Sequence, residues 1–177
     1  MREFGGKMPG WGYAESVLIY GNLAVVTPGG NNCIVALDKG TGKPVWSSQG
    51  FNAGAQYSSC YAFEHEGVPM IVNGTREGVV CVEPKGGRVL WSNPFSARNT
   101  ANCPTPVFAD DMLYLFGERG GKVGLAPCSS QGMQMKGAFS VQGKGPSWAH
   151  PVVIGGRFYV RYDTNLYCYE VRANTAP

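Results

Sequence analysis

Charge is scarce in this chain: only 15% of its 177 residues are Asp, Glu, Lys or Arg, and they balance to a formal +3 without any run of one sign. That leaves no electrostatic footprint for nucleic acid or an acidic membrane surface. Long apolar runs are missing as well, none approaching the roughly 18 residues of a helical membrane span. The first ten residues hold no apolar h-region, so no signal peptide is expected in this chain. Two histidines and six cysteines without a CxxC do not make zinc-ligand spacing. Cys60, Cys81 and Cys168 fall within apolar runs, which predicts buried thiols, with one or two disulfides among the six left open.

What is plentiful is glycine and proline, 26 and 12 residues, well above the roughly 12% of average usage. A helical bundle is excluded by them. The 44% of hydrophobic and 12% of aromatic residues exclude disorder. A turn-rich, all-β protein is left, expected as one domain over residues 1–177.

A unit of about 44 residues recurs four times. Val17, Cys60, Pro106 and Pro151 mark equivalent first strands, at steps of 43, 46 and 45. Each is followed by a two-residue turn and a second strand: Gly21-Asn22, Glu66-Gly67, Asp110-Asp111 and Gly155-Gly156. Asn, Asp and Gly there supply the positive φ of tight hairpins. Third strands centre on Leu37, Val82, Leu125 and Tyr169. Fourth strands are expected at Trp46 and Trp91, a weak one over Met133 to Val141, and none in the last unit. Four short antiparallel strands per repeat are the pattern of propeller blades, here placed at 14–48, 57–93, 103–141 and 148–173. A sandwich would not require the same turn chemistry to return at a fixed period.

Residues Ala36 to Trp46 read A-x-D-x-x-T-G-x-x-x-W, with Ala36, Asp38, Thr41, Gly42 and Trp46 in the defining positions; Gly87 and Trp91 repeat part of it. This resembles the tryptophan-docking motif of quinoprotein propellers. Together with Trp11 to Ser16, Val26 to Gly30, Asn102 to Pro106 and Ser147 to Pro151, it identifies the chain as similar to the PQQ-binding-like β-propeller repeat proteins, including the propeller lipoprotein of outer-membrane assembly. The resemblance implies indoles that lock neighbouring blades, rings of seven or eight blades in most members, and a periplasmic or secreted bacterial location. Four units then read as half of an eight-bladed ring or as a small propeller.

First strands line a propeller's axis, so the residues leading into them converge on one mouth. Trp11, Tyr13, Glu15, Tyr57, Asn102, Trp148 and His150 are the candidate binding residues there. No catalytic residue is expected. Dehydrogenase chemistry would need pyrroloquinoline quinone, Ca²⁺ held by oxygen ligands and a carboxylate base. Glu15 and Asn102 are the only suitable acid and amide near the mouth, and the adjacent cysteine pair of the family's dehydrogenases is absent. The expectation is a non-catalytic scaffold for protein or glycan partners, without cofactor or metal; the alternative is a PQQ-dependent alcohol or sugar dehydrogenase fragment. The unit count also raises a homodimer, closed by residues 2–8 in the vacant outer strand position of the last unit.

Overall fold

The computed structural model describes residues 1–172; the expected fourth unit, 148–173, thus ends one residue outside the described part. All strand pairs are antiparallel and, β13 excepted, join neighbours in sequence, giving four sheets in chain order. The first holds β1 (Leu18–Tyr20), β2 (Leu23–Val26), β3 (Val35–Asp38) and β4 (Pro44–Ser47), and the second β5 (Tyr61–His65), β6 (Val68–Thr75), β7 (Gly78–Val82) and β8 (Val89–Asn93). The third has β9 (Val107–Ala109), β10 (Met112–Phe116) and β11 (Lys122–Ser129), whose outer edge pairs with two short pieces, β12 (Gly132–Met133) and β13 (Gly137–Ser140). The fourth has three strands, β14 (Val152–Ile154), β15 (Arg157–Tyr162) and β16 (Asn165–Glu170). The protein is all-β, four blades of a β-propeller.

Local chemistry accounts for the hairpins. Both turn residues have positive φ at Glu66-Gly67, Asp110-Asp111 and Gly155-Gly156, the conformation that matches the right-handed twist of the flanking strands. In the first two sheets the β-bulge falls at the same place, between Ala36 and Leu37 and between Cys81 and Val82, just inside the cross-strand partners of Trp46 and Trp91.

Three apolar clusters fill the spaces between sheets. Leu18, Tyr20, Val25, Ala36 and Trp46 of the first sheet meet Cys60, Ile71, Val80 and Val82 of the second. Tyr61, Phe63, Met70 and Trp91 of the second meet Leu113, Leu115 and Cys128 of the third. Tyr114, Phe116 and Val123 of the third meet Phe158, Val160 and Tyr169 of the fourth. Each of the first three sheets is therefore covered on one face by the next, as period-2 alternation with both faces apolar requires.

Two expectations are corrected. Cys168 is exposed, because it lies on the outward face of the fourth sheet with no further sheet over it among the described residues, and all six cysteines are free thiols. Within the chain, residues 2–8 do not add a strand to its own β16: Arg2–Phe4 form a 3-10 turn, and the Phe4 carbonyl accepts from Asn32 Nδ2 at 3.3 Å, beside the first sheet. The Phe4 and Gly6 amides are both spent on the Met1 carbonyl. No helix of the described residues is long and apolar enough to cross a membrane.

Candidate functional site: the mouth of the blades

Strands β1, β5 and β9 begin two residues after Ser16, Ser59 and Thr105, whose amides are used between sheets. Ser16 N–H donates to Ser59 Oγ at 2.9 Å, Ser59 N–H to Thr105 Oγ1 at 3.0 Å, and Thr105 N–H to His150 Nδ1 at 2.9 Å. Equivalent residues of successive blades thus form one row, always running amide to side chain in chain order. His150 acts in it as an acceptor that holds the fourth blade to the third.

A second recurring device was not legible in the sequence. In three blades a carboxylate on the loop after the second strand captures an amide of the segment leading in: Gly54 N–H to Glu77 Oε2 at 2.7 Å, Ala101 N–H to Glu118 Oε2 at 2.6 Å, and Lys144 N–H to Asp163 Oδ2 at 3.3 Å. The first blade inverts it, Thr27 N–H donating to Glu15 Oε1 at 2.6 Å. The acids at these loop positions were the only signal available.

Glu15 is half-buried, and its Oε2 is buried without a partner. Burial raises its pKa above the usual carboxylate range, against the opposing bonds from Thr27. Beneath it, Thr27 Oγ1 accepts from Asn73 Nδ2 at 2.7 Å and touches Cys60 Sγ, whose thiol is pushed up to about 12 by burial, with the Glu15 charge adding.

Asn102 is buried and fully engaged. Its Nδ2 donates to the Thr75 and Ser96 carbonyls, its Oδ1 accepts from Asn99, and its N–H donates to Gln56 Oε1. Tyr57 is buried too; its hydroxyl accepts from Trp11 N–H at 3.1 Å, and the two rings stand 5.8 Å apart. Tyr13 donates its hydroxyl to the Pro28 carbonyl.

The aromatic residues that remain open are Trp11, 71% exposed, and Trp148, 57% exposed. They line one groove of about 490 Å³ with Thr100, Glu118, Arg119, Gly145 and Pro146. Arg119 Nη2 donates to Thr100 Oγ1 at 2.7 Å, which fixes the guanidinium at the groove wall. The Glu118 carboxylate is held inward by Ala101 N–H, so the groove presents indoles and a cation.

The docking residues lie on the opposite, outer part of the blades. Trp46 Nε1–H donates to the Pro84 carbonyl at 2.9 Å and Trp91 Nε1–H to the Ser129 carbonyl at 2.8 Å, each indole reaching the next blade. Gly87 has φ +72° and its α-carbon lies under the Trp46 ring, where a Cβ would stand 2.3 Å from Cε3. Asp38 Oδ1 accepts from Gly40 N–H, Thr41 N–H and Thr41 Oγ1–H, and Asn22 Nδ2 donates to Oδ2. The Thr41 hydroxyl, then its amide, holds the Asp38 carboxyl below its ordinary range.

At this mouth the Asn102 amide is spent on the Thr75 and Ser96 carbonyls and on Asn99, Glu15 Oε1 on Thr27 N–H, and the described residues contain no group of three or more His, Cys, Asp or Glu placed together.

Residues 30–127 match the family model described as outer membrane protein assembly factor BamB. No curated protein matches. Among solved structures, a computationally designed protein, Ika8, is similar with a TM-score of 0.61 at 12% identity, over 88% of this chain and 45% of that one. The chain thus spans under half the length of that structure, and the likeness bears on the fold.

Proposed function

We propose, on the premise that this chain belongs to the PQQ-like repeat family described as outer membrane protein assembly factor BamB, that its β-propeller is a non-catalytic binding module for a protein partner. The observation that carries this reading is the pairing of Trp11 and Trp148, 137 residues apart, as exposed walls of one groove beside Arg119. Trp and Arg are enriched among the side chains that anchor protein interfaces, Trp because it buries large area at small entropic cost and Arg because its planar guanidinium pairs carboxylates. Groups with catalytic chemistry nearby are committed elsewhere: His150 accepts from Thr105, and Asn102 braces three segments. A glycan site would need a dense set of hydrogen-bonding side chains, whereas this groove offers mainly indole, proline and glycine surface. An extended peptide with an apolar residue between the indoles and an acidic one at Arg119 fits better. The family description favours an outer-membrane, periplasmic setting for that partner.

The test is a fluorescence titration of the full chain with an extended peptide of alternating apolar and acidic residues, beside a neutral oligosaccharide. Saturable peptide binding lost in both Trp11→Ala and Trp148→Ala, with unchanged thermal stability, supports the proposal. Oligosaccharide binding alone, or dye-linked oxidation of an alcohol with added quinone and Ca²⁺, overturns it.

A further inference from the structure

The repeat is broken at one junction between blades. In the first two sheets the third strand is short, four residues in β3 and five in β7. In the third sheet β11 runs for eight residues, and its last two, Cys128 and Ser129, fold back through a tight turn onto β12. This flap stands at the end of the blades opposite the mouth, facing the hairpin turn at His65 and Glu66 in the second blade. We propose that the cleft between flap and turn, of about 550 Å³, is a binding site for a neutral saccharide chain. The inference is independent of the groove at the mouth.

The cleft opens where the preceding junction is closed. Ser129 takes the Trp91 indole proton as Pro84 takes that of Trp46. Gly87, three residues beyond Pro84, lies under the Trp46 ring, which fills the space beside the lock. Gly132 stands in the same relation to Ser129, and a Cβ there would meet nothing within 4 Å. The third blade thus keeps the indole lock and leaves room next to it. A volume of this size lies in the range of small-ligand sites, roughly 300–1,000 Å³.

The side chains around that room suit hydroxyl groups. Gln131 and Gln134 each bring a carboxamide, donor and acceptor together, and Glu66 a carboxylate acceptor; all three are exposed. Their backbone is held: the Gln131 amide donates to Ser129 Oγ at 3.2 Å and the Gln134 amide to the Pro127 carbonyl at 3.2 Å. His65 Nδ1 lies 3.2 Å from Asp111 Oδ1, and its ring stands edge-on to Phe108 at 5.5 Å, so the imidazole is fixed across the junction. With Nδ1–H directed to that carboxylate, Nε2 of the neutral ring is an acceptor. Met133, half-buried on the apolar cluster beneath, offers a surface for the C–H face of a sugar ring.

Charge selects the ligand class. Among the described residues no Lys or Arg lines the cleft, so an anionic sugar or a phosphate finds no counter-charge there and meets the Glu66 carboxylate. One carboxylate among amides is too few oxygen ligands for a bound cation. Vicinal hydroxyls, each both donor and acceptor, match carboxamide, carboxylate and imidazole without either charge.

Heteronuclear NMR of the isotope-labelled full chain, titrated with maltotriose, cellotriose and chitotriose, tests this. The chain has four indole N–H signals. That of Trp91 reports the cleft through the Ser129 carbonyl, while those of Trp11 and Trp148 report the mouth. The expected result is a saturable shift of the Trp91 signal with at least one of the three sugars, the Trp11 and Trp148 signals staying in place. Gln131→Ala and Gln134→Ala should each weaken that binding about fivefold, the effect of one net hydrogen bond, with unchanged thermal unfolding. Trp148→Ala should bind the sugar as the wild type does. If either alanine variant fails to fold, Gln131→Glu and Gln134→Glu, which keep an acceptor and lose the donor, serve in its place with the same expected loss. No saturable Trp91 shift with any of the three sugars up to about 10 mM, well above a weak millimolar affinity, would overturn the proposal. Shifts confined to Trp11 and Trp148, or wild-type affinity in both glutamine variants, would overturn it as well.

Discussion

The indole of Trp46 lies over the α-carbon of Gly87 in the next blade and donates its Nε1–H to the carbonyl of Pro84, three residues earlier in the same turn. A large apolar ring and its single polar atom are thus both satisfied by one turn of the neighbouring sheet, where positive φ and the lack of a Cβ let the ring approach.

Trp46→Ala should therefore cost about 3–5 kcal/mol, as a large truncation at a buried contact. Trp46→Phe keeps the ring contact and loses the Pro84 bond, for about 1 kcal/mol. Urea unfolding of the two variants separates the ring from the bond; equal losses would assign the whole effect to the hydrogen bond.

Gly87 and Gly42 make a matched pair. Both have positive φ, +72° and +70°, but a Cβ at Gly42 meets nothing within 4 Å while one at Gly87 enters the Trp46 ring. Gly42→Ala should cost only the left-handed backbone term, about 1–2 kcal/mol. Gly87→Ala should cost clearly more and shift the Trp46 emission to longer wavelength as the indole is pushed into water.

Glu15 has a folded-state pKa raised above its ordinary 4.5 by burial. A raised pKa means that the folded protein binds this proton more tightly than the unfolded chain does. Its contribution is fully present below the unfolded value and is lost as pH rises through the folded one. In Glu15→Gln that segment of the pH–stability curve should flatten, with higher stability than wild type at neutral pH. Thermal unfolding from mildly acid to neutral pH reads it; an unchanged curve would remove Glu15 as the titrating group.

Asp38 shifts the opposite way, held low first by the Thr41 hydroxyl. Its contribution is present above the unfolded value of 3.8 and is lost as pH falls through the folded one. Thr41→Val deletes the hydroxyl bond and should move the Asp38 carboxyl carbon titration, followed by NMR, upward toward that value. Because the carboxyl is exposed, the change in overall stability should be slight.

The sequence alone determined the period, the four hairpins and the turn that Asp38 and Thr41 close, since these depend on alternation of side chains and on φ at single residues. Glu66-Gly67 and Asp110-Asp111 were readable as turns for that reason. Tertiary structure decided what depends on neighbours. The row from Ser16 to His150 exists because stacked blades bring equivalent amides and side chains within 3 Å, and no local pattern marks a hydroxyl as an inter-blade acceptor. Trp11 and Trp148 share a groove only because leading segments of different blades meet at the mouth. Cys168 shows the limit most plainly. Its apolar surroundings match those of the buried Cys81 in the second blade, yet it is exposed, because burial of a sheet face is set by the sheet that covers it and not by the strand that carries it.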